Sequence, residues 1–534
     1  MDIEKIKSEE LTIAEKAELL KDELTGTAKG YLSGFLRLML VAVLVLLQMV
    51  IVVVASVMLQ YVTIYLYVIL EVLGFIGILN LVNDNRSPSY KIAWITIVLL
   101  LPITGYVMYF LWGRADSKKK LDRTVINRMR PGEAYLEHDE ALMKEYEELH
   151  PTKSRMSKYM ARENFPLYKN NHIDYYSMGE EAFQAIFEEL EKAERFILID
   201  FFIIAEGAIW DRLHEILERK IREGVEVKFI YDDFGAALRT DKKFKQNLEK
   251  EGFQVQVFNP ILRYTGKLYM NYRSHQKILV VDGNVGFTGG FNIADEYANL
   301  VDRFGKWKDN GIRLEGDAVW GLTVTFLQMW AVCSGDEIDY ERYRPTKKFP
   351  ASDVYCHVIS DGPANNPNNP IESLYKQMIN LSKNCLYITT PYLLIEDEMQ
   401  NALIEAARSG VDVRIITPNI PDKKYVKMLT NYNYGRLLEN GVRIYEYTPG
   451  FIHAKTIINE HCGIIGTINM DYRSFYLHYE NGVWISNDEV IGVMKEDLLK
   501  TMEKSKEMTY EEWKRRPLRL RLIQPMLNMF STLM

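Results

Sequence analysis

Cysteine is scarce, with only Cys333, Cys356, Cys385 and Cys462 in 534 residues, widely separated and without a CxxC spacing. That excludes a zinc ribbon, a paired redox centre and a disulfide framework, and leaves thiols expected to be reduced and mostly buried, in a soluble part facing the cytoplasm. Basic charge is equally short: the formal net charge is -7, with no long basic run and no basic patch interleaved with aromatics. The balance therefore gives no support for a nucleic-acid partner. A cleaved secretory signal is not expected either, because the first apolar region begins late, runs too long and lacks a small-residue cleavage pattern. Apolar mass is abundant. At 48% hydrophobic residues, the chain has enough for two packed cores and membrane segments besides.

Residues 1–37 form a charged extension of mixed sign, read either as a surface-lying helix or as a plain extension. Residues 38–62 then contain no charge, long enough as a helix to span a hydrocarbon core of about 30 Å. A second apolar stretch, 64–82, is interrupted only by Glu71, and a third, 92–112, follows the polar loop NDNRSPSYK. All three are expected to be transmembrane helices, with 1 and 2 alternatively a shallow hairpin. Arg114, Lys118, Lys119, Lys120 and Arg123 flank the third, which places the following region in the cytoplasm by the positive-inside rule. Lys21, Lys29 and Arg37 pull the N-terminus inward as well, so its side stays open.

Residues 114–165, rich in charge and poor in apolar periodicity, are expected to be a linker along the membrane face. The chain then repeats itself. Residues 166–350 run through the helix EEAFQAIFEELEKA, the buried strand FILIDFFII, a helix ending at Gly224 and the strand VEVKFIYDD. Residues 351–510 run through IESLYKQMINLSK, CLYITTPYLL, a helix ending at Gly410 and VDVRIITP. Apolar strands alternating with amphipathic helices imply an α/β fold in which helices cover a largely parallel sheet, and two such halves imply a pseudo-two-fold arrangement. A basic and apolar segment, 511–534, closes the chain. It suits either an interface with anionic lipid or a packing tail.

The same polar motif sits at the corresponding place in each half. SHQKILVVDGNVGFTGGFN carries His275, Lys277, Asp282, Gly289, Gly290 and Asn292; IHAKTIINEHCGIIGTIN carries His453, Lys455, Glu460, Gly466, Thr467 and Asn469. In an extended segment, residues two apart share a face, so each His-Lys pair can engage one ligand. Histidine serves as nucleophile or proton carrier near neutral pH, and lysine and asparagine offer positive charge and donors to phosphate oxygens. Glycines ahead of each asparagine permit a tight turn that brings it back to the same ligand. One His-x-Lys is a common accident; two, each followed by an acid and a Gly-containing turn ending in asparagine, are not.

These motifs resemble the signature of the phospholipase D superfamily over about residues 165–510. The runs AWITIVLLLPITGYVMYFLWGR, GGFNIADEY and TINMDYRSFYLHYENGVWI look like bacterial cardiolipin synthases in particular. The resemblance implies tandem phospholipase D-type halves sharing one site, with no metal and no cofactor. It implies a membrane phosphatidyltransferase that joins two phosphatidylglycerols into cardiolipin and releases glycerol. By that analogy His275 attacks phosphorus and His453 moves the protons, roles that the resemblance leaves exchangeable; Lys277, Lys455, Asn292 and Asn469 hold phosphoryl oxygens, and Asp282 and Glu460 complete the catalytic set. An acid orienting each histidine is implied too, with Glu480 expected for the second motif and Asp309 for the first, or Asp309 as an ordinary ion-pair partner. Glu460 departs from the family's aspartate, and the interval to its glycine is one residue shorter than in the first motif; Asn459 and His461 are alternative supports for His453. Tyr264, Tyr269, Tyr272 and Tyr472 line a lipid entry or belong to the core. Hydrolysis to phosphatidic acid, or anionic-lipid binding without turnover, are the competing readings. Oligomeric state does not follow from the sequence.

Overall fold

The computed structural model describes residues 62–83, 86–113, 119–237, 239–260, 272–365 and 368–533, with a few isolated positions between 43 and 50. It divides into two compact units: a larger one drawn from residues 124–263 and 271–525, and a smaller one that includes the helices between Val62 and Gly113.

The larger unit contains the duplication. In its first half β1 (Asn171–Tyr176), β2 (Phe196–Phe201), β3 (Glu226–Asp232), β4 (Gln254–Phe258), β5 (Lys277–Val281), β6 (Val285–Gly289) and β7 (Gly311–Gly316) lie in the order β1-β7-β6-β5-β2-β3-β4. The second half has β8 (Tyr355–Asp361), β9 (Cys385–Thr389), β10 (Asp412–Pro418), β11 (Arg443–Tyr447), β12 (Thr456–Asn459), β13 (Gly463–Gly466) and β14 (His478–Ser486). Their order, β8-β14-β13-β12-β9-β10-β11, is the same path, extended at its edges by the short strands Leu167–Tyr168 and Ser505–Met508.

The expectation of a largely parallel sheet needs correction. Within the two seven-strand paths, β2, β3 and β4, and likewise β9, β10 and β11, run parallel, and the remaining neighbours are antiparallel. The reason is local. After each His-x-Lys the chain reverses through a short turn, at Asp282-Gly283-Asn284 in the first half, and a hairpin that tight joins only antiparallel strands. Asp282 and Gly283 both adopt positive φ there, 55° and 71°, which a tight hairpin turn requires.

Every residue of β2 and of β9 is buried, as expected of strands covered on both faces. The helix Gly179–Leu190 buries Ala182, Phe183, Ile186, Phe187 and Leu190 along one stripe, and Pro370–Leu381 buries Ile371, Leu374, Tyr375 and Met378 in the same way. The helix Val319–Ser334 is apolar almost all round, and it packs against β2, β4 and β5 of the first sheet and β8 of the second. A helix between two layers has no solvent face to make polar. Gly286 lets it approach: a Cβ there would stand 2.8 Å from Leu322 Cδ1.

The expected linker is not a simple connector. Helices Lys119–Glu133, Glu140–Leu149 and Pro151–Arg162 occupy it, and Tyr146, Met156 and Met160 are buried within the second half's core cluster. Charge density hid these few apolar positions. All four cysteines are free, and Cys356, Cys385 and Cys462 are buried.

Of the expected spans, 38–62 falls almost wholly outside the described residues. The second coincides with the helix Val62–Val82, while the third is broken into Pro88–Leu100, Pro102–Met108 and a wider π-type turn at Tyr109–Gly113. Pro102 opens the middle segment after Leu101 leaves helical geometry (φ -132°, ψ 74°), as the residue before proline is pushed to do. Among the described residues no helix is long and apolar enough to cross a membrane. Within this unit Trp94 stacks edge-on against Tyr90 and Tyr109, and the Tyr90 hydroxyl donates to the Gly113 carbonyl at 3.0 Å.

Candidate active site

The two halves bring their motifs together about the pseudo-two-fold. His275 Nδ1 lies 2.8 and 3.0 Å from the Glu480 carboxylate oxygens, and His453 Nδ1 lies 2.7 Å from Asp309 Oδ2. Each acid therefore serves the histidine of the other half, the reverse of the expected assignment. The backbone explains why. The N–H of His275 donates to the carbonyl of Tyr479, just before Glu480, and that of His453 donates to the carbonyl of Lys308, just before Asp309. Arg273–Ser274 runs parallel beside His478–Tyr479, and Lys308 bridges Ile452. These contacts cross from half to half, so the register that seats each histidine also delivers the other half's carboxylate.

With Nδ1 of both histidines tied to an acid, Nε2 is the nitrogen left for chemistry. Both rings are nearly buried, at 6% and 7% exposure, and their pKa values fall. Burial, then Lys277 and His478, holds His275 well below the usual range; burial and Lys455 bring His453 to about 4 although Asp309 pulls the other way. The acids differ. Burial pushes Glu480 up to about 8. For Asp309 burial is outweighed by His453 and Lys455, and its carboxyl stays below the usual range. Burial also lowers Lys277 to about 8 and Lys455 to about 7. Lys277 Nζ donates to the His275 carbonyl at 2.9 Å; Lys455 Nζ stands 2.8 Å from His453 Nδ1 and contacts the His453 carbonyl.

The Gly-Gly of the first motif and the Gly-Thr of the second have different tasks beside these acids. A Cβ on Gly290 would stand 2.0 Å from Asp309 Oδ1. At the matching place Thr467 uses its hydroxyl to donate to Glu480.

Asp282 and Glu460 do not join the histidines. Asp282 accepts the backbone N–H groups of Glu194, Arg195 and Phe196 at 2.8–2.9 Å, and Glu460 accepts those of Lys383, Asn384 and Cys385 at 2.8–3.4 Å. In both halves the acid ties the hairpin turn to the chain entering the neighbouring strand, a task the longer glutamate performs as well. Asn459 and His461 do not stand in for it at His453: Asn459 Oδ1 caps the His461 and Cys462 N–H groups of its own turn. Asp282→Ala would leave three amide donors without partners, which is expected to cost about 2–4 kcal/mol while leaving kcat within a factor of a few; thermal unfolding alongside turnover checks this. Backbone donors outweigh burial and hold Glu460's pKa below the usual range. Its contribution to stability is therefore present above the ordinary glutamate pKa and lost as pH falls through the lower folded value.

Asn292 is buried with both ends of its amide engaged, Oδ1 accepting the Ile203 N–H and Nδ2 donating to the Tyr297 hydroxyl at 2.7 Å. Asn469 is buried with its side-chain oxygen unpartnered. Tyr272 and Tyr472 are buried, and Tyr264 and Tyr269 lie outside the described residues.

Set beside known proteins, the chain matches the family described as cardiolipin synthase, phospholipase D-like domain, over residues 186–302 and 375–502, one match in each half. The phospholipase D-nuclease N-terminal family matches residues 65–114. A cardiolipin synthase of Listeria welshimeri is 32% identical over 480 residues, covering 88% of this chain and 99% of that protein. The chain belongs to the cardiolipin synthase family of the phospholipase D superfamily. An uncharacterized protein of Streptococcus mutans is 36% identical over 466 residues, 86% of this chain and 99% of the relative. Phosphatidylserine synthase of Haemophilus influenzae shares the fold with a TM-score of 0.55 at 14% identity, over 71% of this chain and 100% of that one.

Three residues of this cardiolipin synthase site escaped the sequence reading. Asn310 donates to Thr456 Oγ1 at 2.8 Å, and Asn481 donates to Thr288 Oγ1 at 2.8 Å while accepting the Lys277 N–H. Both stitch the halves together beside the lysines. Their signal was available as a repeated acid-Asn-Gly triplet, Asp309-Asn310-Gly311 and Glu480-Asn481-Gly482. His478 is the third, its ring 5.5 Å from that of His275 and its Nδ1 3.6 Å from Glu480. Among the described residues His275, His478 and Glu480 bring three possible metal-ligand atoms within 4.8 Å of one another. Burial, then the charges of Arg473, Lys277 and Arg273, depress His478's pKa strongly, and the same positive surroundings oppose a cation.

Proposed function

We propose that this enzyme transfers a phosphatidyl group from one phosphatidylglycerol to another, making cardiolipin and glycerol through a phosphohistidine. The observation that carries the reading is the pair of buried histidines, each held at Nδ1 by a carboxylate of the opposite half. In the first displacement His275 Nε2 attacks phosphorus, the bond from phosphorus to the glycerol oxygen breaks, and His453, entering the step as imidazolium, gives that oxygen its proton. In the second, His453 takes the proton of the second lipid's terminal hydroxyl, whose oxygen attacks phosphorus and releases His275. The acids support this division of labour. Asp309, kept ionised, stabilises the imidazolium that His453 becomes. Glu480 accepts from His275 Nδ1, which leaves the Nε2 lone pair of an uncharged ring free to attack. Lys277 and Lys455 would neutralise charge on the phosphoryl oxygens, with Asn469 and the second Nδ2–H of Asn292 as further donors.

The proposal extends to a multi-pass membrane protein with its catalytic unit on the cytoplasmic side. The uncharged stretch 38–62 and the basic flank from Arg114 to Arg123 support it. So do the apolar side chains Val72, Phe75, Ile76, Leu79, Leu99 and Leu100, all exposed on the helices of the smaller unit.

Product analysis tests the function. Full-length protein in liposomes with phosphatidylglycerol as sole phospholipid substrate should release cardiolipin and glycerol in equal amounts; phosphatidic acid as the main product would make it a hydrolase.

The pH dependence follows from the site. Attack requires a neutral His275, whose pKa is held well below the ordinary histidine value, so the acid limb of kcat/KM should lie below that value. Lys455 and Lys277 lose their protons at about 7 and about 8, so kcat/KM should decline over that range. Replacing both lysines with arginine should remove the alkaline decline, measurable from initial rates across pH 5–9.

A further inference from the structure

The helix Leu518–Asn528 is inverted relative to an ordinary surface helix. Its fully buried side chain is polar: Gln524 is 0% exposed, with Nε2 donating to the Met428 carbonyl at 2.9 Å. Its outer side is apolar, Leu518 being 68% exposed, Leu522 62% and Ile523 43%. At about 100° per residue Leu518 and Leu522 lie on the side opposite Gln524, with Arg519 and Ile523 adjoining them. The segment is fastened in this orientation. Just before it Trp513 Nε1 donates to the Asn431 carbonyl at 2.6 Å, its ring packs where Gly435 has no side chain, and Arg516 stacks over the ring at 3.5 Å. Leucines held outward by a pinned helix are costly in water.

Charge names what would cover them. Arg515, Arg519 and Arg521 are exposed around the same segment, and none has an acidic partner among the described residues. Leu518, Leu522 and Ile523 turned outward, with Arg519 among them and Arg521 at the side, is the pattern of a helix lying in the headgroup region of an anionic bilayer, apolar side chains down and arginines on phosphates. A protein partner of matching shape would need acidic groups around an apolar groove; an anionic lipid surface supplies both chemistries without any further specificity.

We propose that Leu518–Asn528 is a second membrane contact, an interfacial helix that rests on anionic lipid through its outward apolar side chains and arginines.

The test uses full-length protein carrying Cys333→Ser and Leu522→Cys labelled with a bimane fluorophore, reconstituted in vesicles whose acyl chains are brominated. Glu215→Cys, on an exposed helix of the first half, serves as the comparison site. Phosphatidylserine as the anionic lipid keeps turnover out of the readout. The expected result is at least twofold quenching at position 522 in phosphatidylserine-containing vesicles, little at position 215, and loss of most quenching with Arg519→Glu and Arg521→Glu together. No quenching at 522 would overturn the proposal. Equal quenching in phosphatidylcholine alone, unchanged by the arginine reversals, would overturn it too, since proximity imposed by the N-terminal region would then account for the signal. Neither outcome depends on which reaction the active site performs.

Discussion

Replacing His275 or His453 with alanine should lower cardiolipin formation by about 10⁴-fold or more, because each removes a group that makes or breaks a bond to the reacting centre. The two variants should differ in what they leave behind. With radiolabelled phosphatidylglycerol and rapid acid-free denaturation, His453→Ala should retain slowly formed label on the protein, since His275 still attacks phosphorus while the return step lacks its base. His275→Ala should carry none. Label on the His275 variant and none on the His453 variant would exchange the two roles. Folding is not at issue for either substitution beyond what thermal unfolding can check, because the backbone contacts that seat each histidine use its N–H and not its ring.

The crossed acids predict the second large effect. Glu480→Gln and Asp309→Asn keep shape and burial but remove the carboxylate that fixes the imidazole tautomer, a change worth about 10²–10⁴ in rate in comparable acid-histidine pairs. Because Glu480 belongs to His275, Glu480→Gln should slow the appearance of labelled protein in a single turnover. Because Asp309 belongs to His453, Asp309→Asn should let label persist on the enzyme longer than in the parent protein. Pairing within each half would give the opposite pattern, so the same pair of experiments separates the two arrangements.

The duplication was legible because β2 and β9 are uniform apolar runs and because the polar motif recurs whole. The histidine and lysine positions stood out because the His-x-Lys recurs in both halves, each time with an acid and a turn ending in asparagine. What spacing does not carry is which chain segment lies across from which. Glu480 and Asp309 stand near their own motifs in sequence, and the pairings of Arg273–Ser274 with His478–Tyr479 and of Lys308 with Ile452 show that they cross. Asp282 and Glu460 misled for the converse reason: their place in the motif is regular, but regularity there reflects a hairpin turn needing an acceptor for backbone amides. The antiparallel part of each sheet was hidden by the apolar strands, which look alike whichever way their neighbours run. Tyr146, Met156 and Met160 were lost among charged residues, too few to produce a periodic signal yet enough to bury one face of their helices.

The exchange of carboxylates between halves also sets when the enzyme can first act as it is made. A ribosome that has released the whole first half has delivered His275 and Lys277 but not the acid that orients that histidine, and the same growing chain already carries Asp309 with no imidazole to serve. The nucleophilic ring is not poised until the strand bearing Glu480 has been translated and has found its place against Arg273 and Ser274. A nascent chain that meets lipid substrate is thus held well below its finished activity, and premature attack by a half-made protein is restrained by topology alone.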